Sequence, residues 1–143
     1  KHGVEGAWIE FRGASSHQAL LADYVDIDIA LDKFPYNGGL TTCEALWMGV
    51  PVITILGKRI ISRQTAGMLE AVDLGEFVAA DADEFAAIGK HWSEHREQLN
   101  GVRAGLRQRM AASPLTDGAA YTADFEAHLR RIWAAHLAAQ AED

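Results

Sequence analysis

Hydrophobic positions follow a two-residue period in some stretches of the chain and a three-to-four-residue period in others. Residues 26–32 alternate polar and apolar side chains, and residues 51–56 form an almost unbroken apolar run rich in β-branched residues. Both patterns are typical of strands, and residues 8–11 and 75–80 predict two shorter ones. Because helical patterns separate these strands, we expect a mainly parallel sheet with right-handed crossovers.

The first half of the chain carries two helical patterns. Ser15 followed by Gln18 matches a capping box and predicts a helix that runs to Val25. A second, short helix is predicted at about residues 42–48. Gly49 is well placed to end that helix, because glycine tolerates the left-handed conformation found just after a helix.

The second half of the chain is predicted to be largely helical. A helix is expected through residues 68–72, and Asp81 with Glu84 repeats the capping pattern before another. A further helix follows at about residues 99–110. The last helix carries an apolar stripe that suits packing on a neighbour: Tyr121, Phe125, Leu129, Ile132, Trp133 and His136.

Candidate chemistry lies in a glycine turn between the two main strands. Gly38 and Gly39 precede Thr41 and Thr42 at the predicted start of the short helix. Free N–H groups and the positive end of the helix dipole make such a turn suitable for binding phosphate. The alternative is that Thr41 and Glu44 are simply a capping box and that the glycines form a tight turn. The spacing matches neither a P-loop nor a dinucleotide fingerprint.

Composition narrows the class of protein. The 143 residues are enough for one domain, and 49% hydrophobic with 23% charged residues is ordinary globular usage. A net charge of −7 without a basic cluster argues against a nucleic-acid or membrane-surface partner. Because Cys43 is the single cysteine, an internal disulfide is excluded, and a reducing, cytoplasmic location is expected. The Cys43 side chain itself is expected to be a small buried hydrophobic group. Because the chain begins with Lys1, we expect a piece of a longer protein.

The motif DIDIALD at residues 26–32, with FPYNGG and TTCEALWMGVP downstream, resembles the C-terminal nucleotide-sugar-binding domain of protein O-GlcNAc transferases and their SPINDLY-like bacterial relatives. Further matches follow in the same order at Phe11-Arg12-Gly13, His17, Leu20, Leu21, Tyr24, Ser62-Arg63, Arg109-Met110 and Ser113-Pro114-Leu115. The resemblance implies part of the C-terminal lobe of a GT-B glycosyltransferase, an α/β Rossmann-like parallel sheet with flanking helices. Residues 1–112 would form the Rossmann-like part, and residues 113–143 a C-terminal helical segment.

The resemblance also implies a nucleotide-sugar site. Glu44 falls where the family places an acidic residue on the ribose. His17 aligns with a histidine near the nucleotide, and the alternative is a solvent-exposed histidine at the first position of its helix. Arg63 is a further candidate for a phosphate contact, although a structural ion pair is the alternative. The residues expected around the pyrophosphate are Gly39, Leu40, Thr41 and Thr42, with Asn37 and Gly38 as additional candidates. The chain departs from the family at Gly39, where some members have histidine, and at Gln64, Thr65 and Gly67.

The resemblance implies an inverting protein O-glycosyltransferase whose UDP-GlcNAc donor binds to this segment. The sugar would go to Ser or Thr of an acceptor protein held by regions outside the chain. No general base is assigned to this segment, no metal or other cofactor is expected, and the fragment alone is expected to be inactive and to form a homodimer. The alternatives are a GDP-fucose-dependent, SPINDLY-like enzyme and a non-catalytic interaction module.

Overall fold

The computed structural model describes residues 3–141 and contains a three-stranded parallel sheet. Its strands are β1 (Ala30–Leu31), β2 (Val52–Ile55) and β3 (Val78–Ala79), in the order β1-β2-β3. Ala30 pairs with Val52, and Thr54 pairs with Val78. The predicted α/β architecture with a parallel sheet is therefore confirmed.

Helices connect and flank the strands. The central strand β2 packs against several of them, so it is covered by helices rather than by solvent. The helices, in chain order, are α1 (His17–Asp23), α2 (Leu40–Trp47), α3 (Gln64–Glu70), α4 (Ala82–Glu94), α5 (Arg96–Ala111) and α6 (Gly118–Ala141). Among residues 3–141, no helix combines the length and the hydropathy needed to cross a bilayer.

The core lies around β2 and the segment that leads into β3. Phe77 is fully buried, and its ring stacks on Trp92 of α4 with centroids 4.8 Å apart and planes 7° from parallel. Stacked aromatic pairs of this kind stabilise a core beyond the burial of their area. Other large, fully buried apolar side chains are Leu46 of α2, Ile53 of β2, Leu69 of α3 and Leu106 of α5. The core thus joins the sheet to α2 and α3 and to the later helices α4 and α5.

The first predicted strand is wrong. Gly6–Trp8 forms a single 3₁₀ turn, and residues 9–11 pair with no strand among the described residues. Trp8 is 76% exposed and Phe11 is 91% exposed. The apolar pattern of this segment is genuine, but a strand also needs a neighbouring backbone to bond with, and no described strand lies beside it.

Three other elements begin later than predicted. Ser16, not Ser15, caps α1, because its Oγ accepts the Ala19 N–H at 3.3 Å. Tyr24–Asp26 continues that helix as a 3₁₀ turn, and residues 27–29 form no regular element, so the strand expected at residues 26–32 shortens to β1. A second 3₁₀ turn, Gly75–Phe77, occupies the start of the strand expected at residues 75–80. The first turn takes Asp26 from one expected strand, and the second takes Gly75–Phe77 from the other.

Several local predictions are confirmed. Asp81 caps α4 by accepting the N–H groups of Asp83 and Glu84. Gly49 ends α2 with φ +80°, a conformation that side chains with a Cβ rarely adopt. A long final helix is also present. Within residues 3–140 its apolar stripe is exposed, so the predicted packing of that stripe on a neighbour stays a prediction.

Candidate functional site

The start of α2 lies beside the carboxyl ends of β1 and β2 and carries unpaired backbone donors. Gly39 is the N-cap, and its carbonyl accepts the N–H groups of Thr42 and Cys43 at 3.1 and 3.3 Å. The N–H groups of Gly39, Leu40 and Thr41 donate to no acceptor among residues 3–141. Three free donors therefore gather at the positive end of the helix, as an anion site requires.

The position of Gly39 tests one of the two interpretations of the glycine turn, the capping box. Thr41 is the second residue of α2 rather than its N-cap, and Gly39 offers no side chain as a cap. The capping-box interpretation is therefore wrong. Thr41 is exposed, and its hydroxyl makes no hydrogen bond within the described part of the chain.

The Gly38 turn is held by side chains from the surrounding elements. At the end of β1, Asp32 accepts the Gly38 N–H through Oδ1 and the Thr54 hydroxyl through Oδ2, both at 2.8 Å. From α3, the Thr65 hydroxyl donates to the Gly38 carbonyl at 3.2 Å and lies 3.2 Å from the Thr42 hydroxyl. Both backbone polar groups of Gly38, the N–H and the carbonyl, are thus held by hydrogen bonds.

Two of the predicted binding residues bond to each other. The Nε2 atom of His17, at the first position of α1, lies 2.8 Å from the Oε1 atom of Glu44 in α2. The Glu44 side chain is only 12% exposed, whereas that of His17 is 67% exposed. This contact joins α1 to α2 next to the free amides and leaves the second oxygen of Glu44 available.

Tyr24 belongs to the same site although it was not among the predicted binding residues. Its hydroxyl donates to the Thr41 carbonyl at 3.3 Å. Burial, and then the negative charge of Glu44, raise the pKa of Tyr24 above its usual value, so the phenol keeps its proton. Tyr24, Thr41 and the Gly38 turn line a cavity of about 230 Å³.

The other predicted site residues, Asn37, Thr42 and Arg63, differ in the solvent exposure of their side chains. Asn37 is 2% exposed, and its Nδ2 donates to the Thr54 hydroxyl at 3.2 Å, so its side chain supports the turn from inside. Thr42 is 3% exposed and its hydroxyl also faces inward. Arg63 is exposed, donates to the Gly57 carbonyl at 3.0 Å and forms no ion pair within residues 3–141. The site roles of these three residues stay predictions.

A larger, mostly apolar groove adjoins the site. Its volume is about 820 Å³, and it lies at the carboxyl ends of β2 and β3, with Phe34, Tyr36, Ile55 and Ala82 among the residues that line it. Within the described residues, no three His, Cys, Asp or Glu side chains cluster as metal ligands do. Cys43 is half-buried beside Met68, and burial raises the pKa of its thiol.

Sequence reasoning missed Asp32, Thr54 and Thr65 as parts of the site. An aspartate just before a glycine turn is a recognisable acceptor for turn N–H groups, so Asp32 could have been found. The two threonines lie in other elements, 22 and 23 residues along the chain from the groups they contact. No local pattern marks such contacts.

Comparison with known proteins gives concordant results. A model of glycosyl transferase family 41 matches residues 18–125. The chain is 39% identical over 110 residues to a Petunia hybrida protein named "Probable UDP-N-acetylglucosamine--peptide N-acetylglucosaminyltransferase SPINDLY", covering 77% of this chain. It is 29% identical over 133 residues to the UDP-N-acetylglucosamine--peptide N-acetylglucosaminyltransferase of Caenorhabditis elegans, covering 93% of this chain. The chain spans 12% of the length of each of these two relatives.

A solved structure shows the same fold. A mutant O-GlcNAc transferase from Thermobaculum terrenum superposes with a TM-score of 0.77 at 37% identity. The match covers 83% of this chain and 23% of that protein. The described elements therefore correspond to one part of a larger molecule of that type.

Proposed function

The chain belongs to glycosyl transferase family 41, and from this premise we propose that it is the donor-binding part of a protein O-glycosyltransferase that uses UDP-GlcNAc. The observation that carries the proposal is the set of three N–H groups at the start of α2 that find no acceptor in the described part of the chain. They lie beside the carboxylate of Glu44 and the cavity that Tyr24 and Thr41 line. The names of the relatives supply the donor: each contains UDP-N-acetylglucosamine.

In the proposed reaction, a Ser or Thr hydroxyl of an acceptor protein attacks the anomeric carbon of the sugar. The bond from that carbon to the diphosphate oxygen breaks, UDP leaves, and the configuration inverts. Negative charge grows on the diphosphate as the bond breaks. The N–H groups of Gly39, Leu40 and Thr41, with the Thr41 hydroxyl, are placed to stabilise that charge without reorganising. The proton of the attacking hydroxyl goes to a base outside this chain.

Glu44 is proposed to hold the ribose. Its Oε1 is engaged by His17, so Oε2 is free to accept a ribose hydroxyl. A carboxylate that accepts from a hydroxyl forms a stronger hydrogen bond than a neutral acceptor does. His17 would then both orient Glu44 and border the nucleotide. The roles of Asn37, Gly38 and Arg63 at the phosphates remain part of the proposal.

The division of the chain and its assembly are also proposals. Residues 1–112 would form the Rossmann-like part of the donor lobe and residues 113–143 the helical segment that ends it. In agreement with this division, the structure ends α5 at Ala111 and begins α6 at Gly118. The homodimer stays a prediction.

Calorimetry of the full-length protein with UDP and with GDP tests the donor. We expect UDP to bind more tightly than GDP. Tighter binding of GDP would favour the second candidate, a GDP-fucose-dependent enzyme, which the resemblance to SPINDLY-like proteins leaves open. If neither nucleotide bound, the donor-binding proposal would fail, and a non-catalytic interaction module would be favoured.

The ribose contact gives a separate prediction. Replacing Glu44 with alanine should weaken UDP binding by about 1.5–3 kcal/mol, the usual loss for a hydrogen bond to a charged group. A UDP analogue without the two ribose hydroxyls should bind both proteins equally, because it cannot use the carboxylate. Glu76→Ala, which changes a glutamate in the 3₁₀ turn before β3, is the control. An equal loss for UDP and the analogue would contradict the ribose assignment.

A further inference from the structure

We propose that Thr65 is a positioning residue that aims the Gly39 N–H at the diphosphate by holding the other side of the same peptide group. The inference rests on the proposed function, because it concerns how the phosphate donors are oriented. Thr65 is the second residue of α3, is fully buried, and touches the turn through its hydroxyl.

The argument begins with the planarity of the peptide bond. The Gly38 carbonyl and the Gly39 N–H belong to one peptide unit, and in a trans unit these two groups point in opposite directions. The Thr65 hydroxyl donates to the Gly38 carbonyl at 3.2 Å. Anchoring the carbonyl inward therefore points the Gly39 N–H outward. If this peptide rotated, a carbonyl oxygen would face the diphosphate in place of a donor.

Proton counting fixes the direction of the hydrogen bonds. A threonine hydroxyl has one proton, and a carbonyl can only accept. Because Thr65 gives its proton to the Gly38 carbonyl, the Thr42 hydroxyl, 3.2 Å away, must donate to Thr65. The chain of donors runs from Thr42 through Thr65 to Gly38. The buried Thr42 hydroxyl consequently serves the turn and has no proton left for a phosphate.

Asp32 holds the adjacent peptide unit in the same manner. It accepts the Gly38 N–H at 2.8 Å, and its other oxygen accepts the Thr54 hydroxyl from β2. The two peptide units on either side of Gly38 are thus fixed by Asp32, which directly follows β1, and by Thr65 of α3. Beyond this point, the N–H groups of Gly39, Leu40 and Thr41 donate to no acceptor among residues 3–141.

The test compares Thr65→Val with Thr65→Ser in the full-length protein and measures the affinities for UDP and for uridine. Valine has the shape of threonine without its hydroxyl, whereas serine keeps the hydroxyl. We expect Thr65→Val to lower the UDP affinity about tenfold, which corresponds to about 1.4 kcal/mol of binding free energy. The uridine affinity should be unchanged. Thr65→Ser should bind both as the unmodified protein does.

Uridine separates positioning from general damage to the site, because it lacks the diphosphate. Equal weakening of UDP and uridine, or unchanged UDP binding in Thr65→Val, would overturn the inference while the unmodified protein still bound UDP. Failure of the unmodified protein to bind UDP would instead contradict the proposed function. If Thr65→Val does not fold, Thr65→Ala removes the same hydroxyl and should give the same split. Thr122→Val, on exposed α6, is the matched control.

Discussion

Replacing Gly38 with alanine is expected to remove most of the affinity for UDP without unfolding the protein. An added Cβ would lie 2.5 Å from the Thr42 hydroxyl oxygen and 3.1 Å from that of Thr41. Nonbonded atoms do not approach to 2.5 Å, so a neighbour must move. Thr42 is 3% exposed and has a short, branched side chain, so it cannot swing into solvent as a lysine would.

The movement would break the hydrogen bonds that hold the turn. Displacing Thr42 separates its hydroxyl from Thr65, and Thr65 in turn holds the Gly38 carbonyl. The free N–H groups of α2 would then lose their common orientation. A loss of about 1.4–3 kcal/mol, or roughly ten- to hundredfold in affinity, is expected in calorimetry with UDP.

Gly67→Ala provides the control for this substitution. Gly67 lies in α3, close in sequence to Thr65, and a Cβ there would meet nothing within 4 Å. Alanine also favours a helix over glycine, so this variant should be as stable as the unmodified protein or more so. UDP binding of Gly38→Ala at the level of Gly67→Ala would show that the turn is not held as described.

The second large effect is on stability. Replacing Phe77 with alanine should lower the free energy of unfolding by about 3–5 kcal/mol, the range for a phenylalanine removed from a core. Phe77 is fully buried and stacks on Trp92 at 4.8 Å, so the variant loses both the buried area and the aromatic pair. The missing ring would leave a cavity between the start of β3 and α4.

Urea unfolding of the 143-residue chain, followed by tryptophan fluorescence, measures this effect, because Trp92 is part of the lost pair. Phe11→Ala is the matched control: Phe11 is 91% exposed, and its removal should change the free energy of unfolding by less than about 0.5 kcal/mol. If the two variants were equally stable, Phe77 would not be at the centre of the core.

The sequence predicted the elements whose signals are local. The unbroken apolar run became β2, Asp81 caps α4, and Gly49 ends α2, because each depends on a few neighbouring residues. The pattern at residues 8–11 misled because alternation describes a strand's two faces but not whether another strand lies beside it. Tertiary contacts decide that question, and residues 3–141 supply none there.

The candidate site also has a part that the local sequence predicted and a part that depends on tertiary contacts. The glycine turn and helix start were predicted as a phosphate site, and the structure leaves three N–H groups free there. The orientation of that turn depends on Asp32, Thr54 and Thr65, which come from three different elements. Thr42 was expected among the residues around the pyrophosphate, and the buried contact with Thr65 turns its hydroxyl inward. Such contacts follow from packing and not from spacing along the chain.

The central claim is that the amides at the start of α2 hold the diphosphate of an activated sugar. A crystal structure of the full-length protein with UDP tests it most directly. We predict diphosphate oxygens within about 3.2 Å of the backbone nitrogens of Gly39, Leu40 and Thr41, the upper distance for an N–H···O hydrogen bond. A diphosphate bound elsewhere, with those three N–H groups facing only water, would contradict the account.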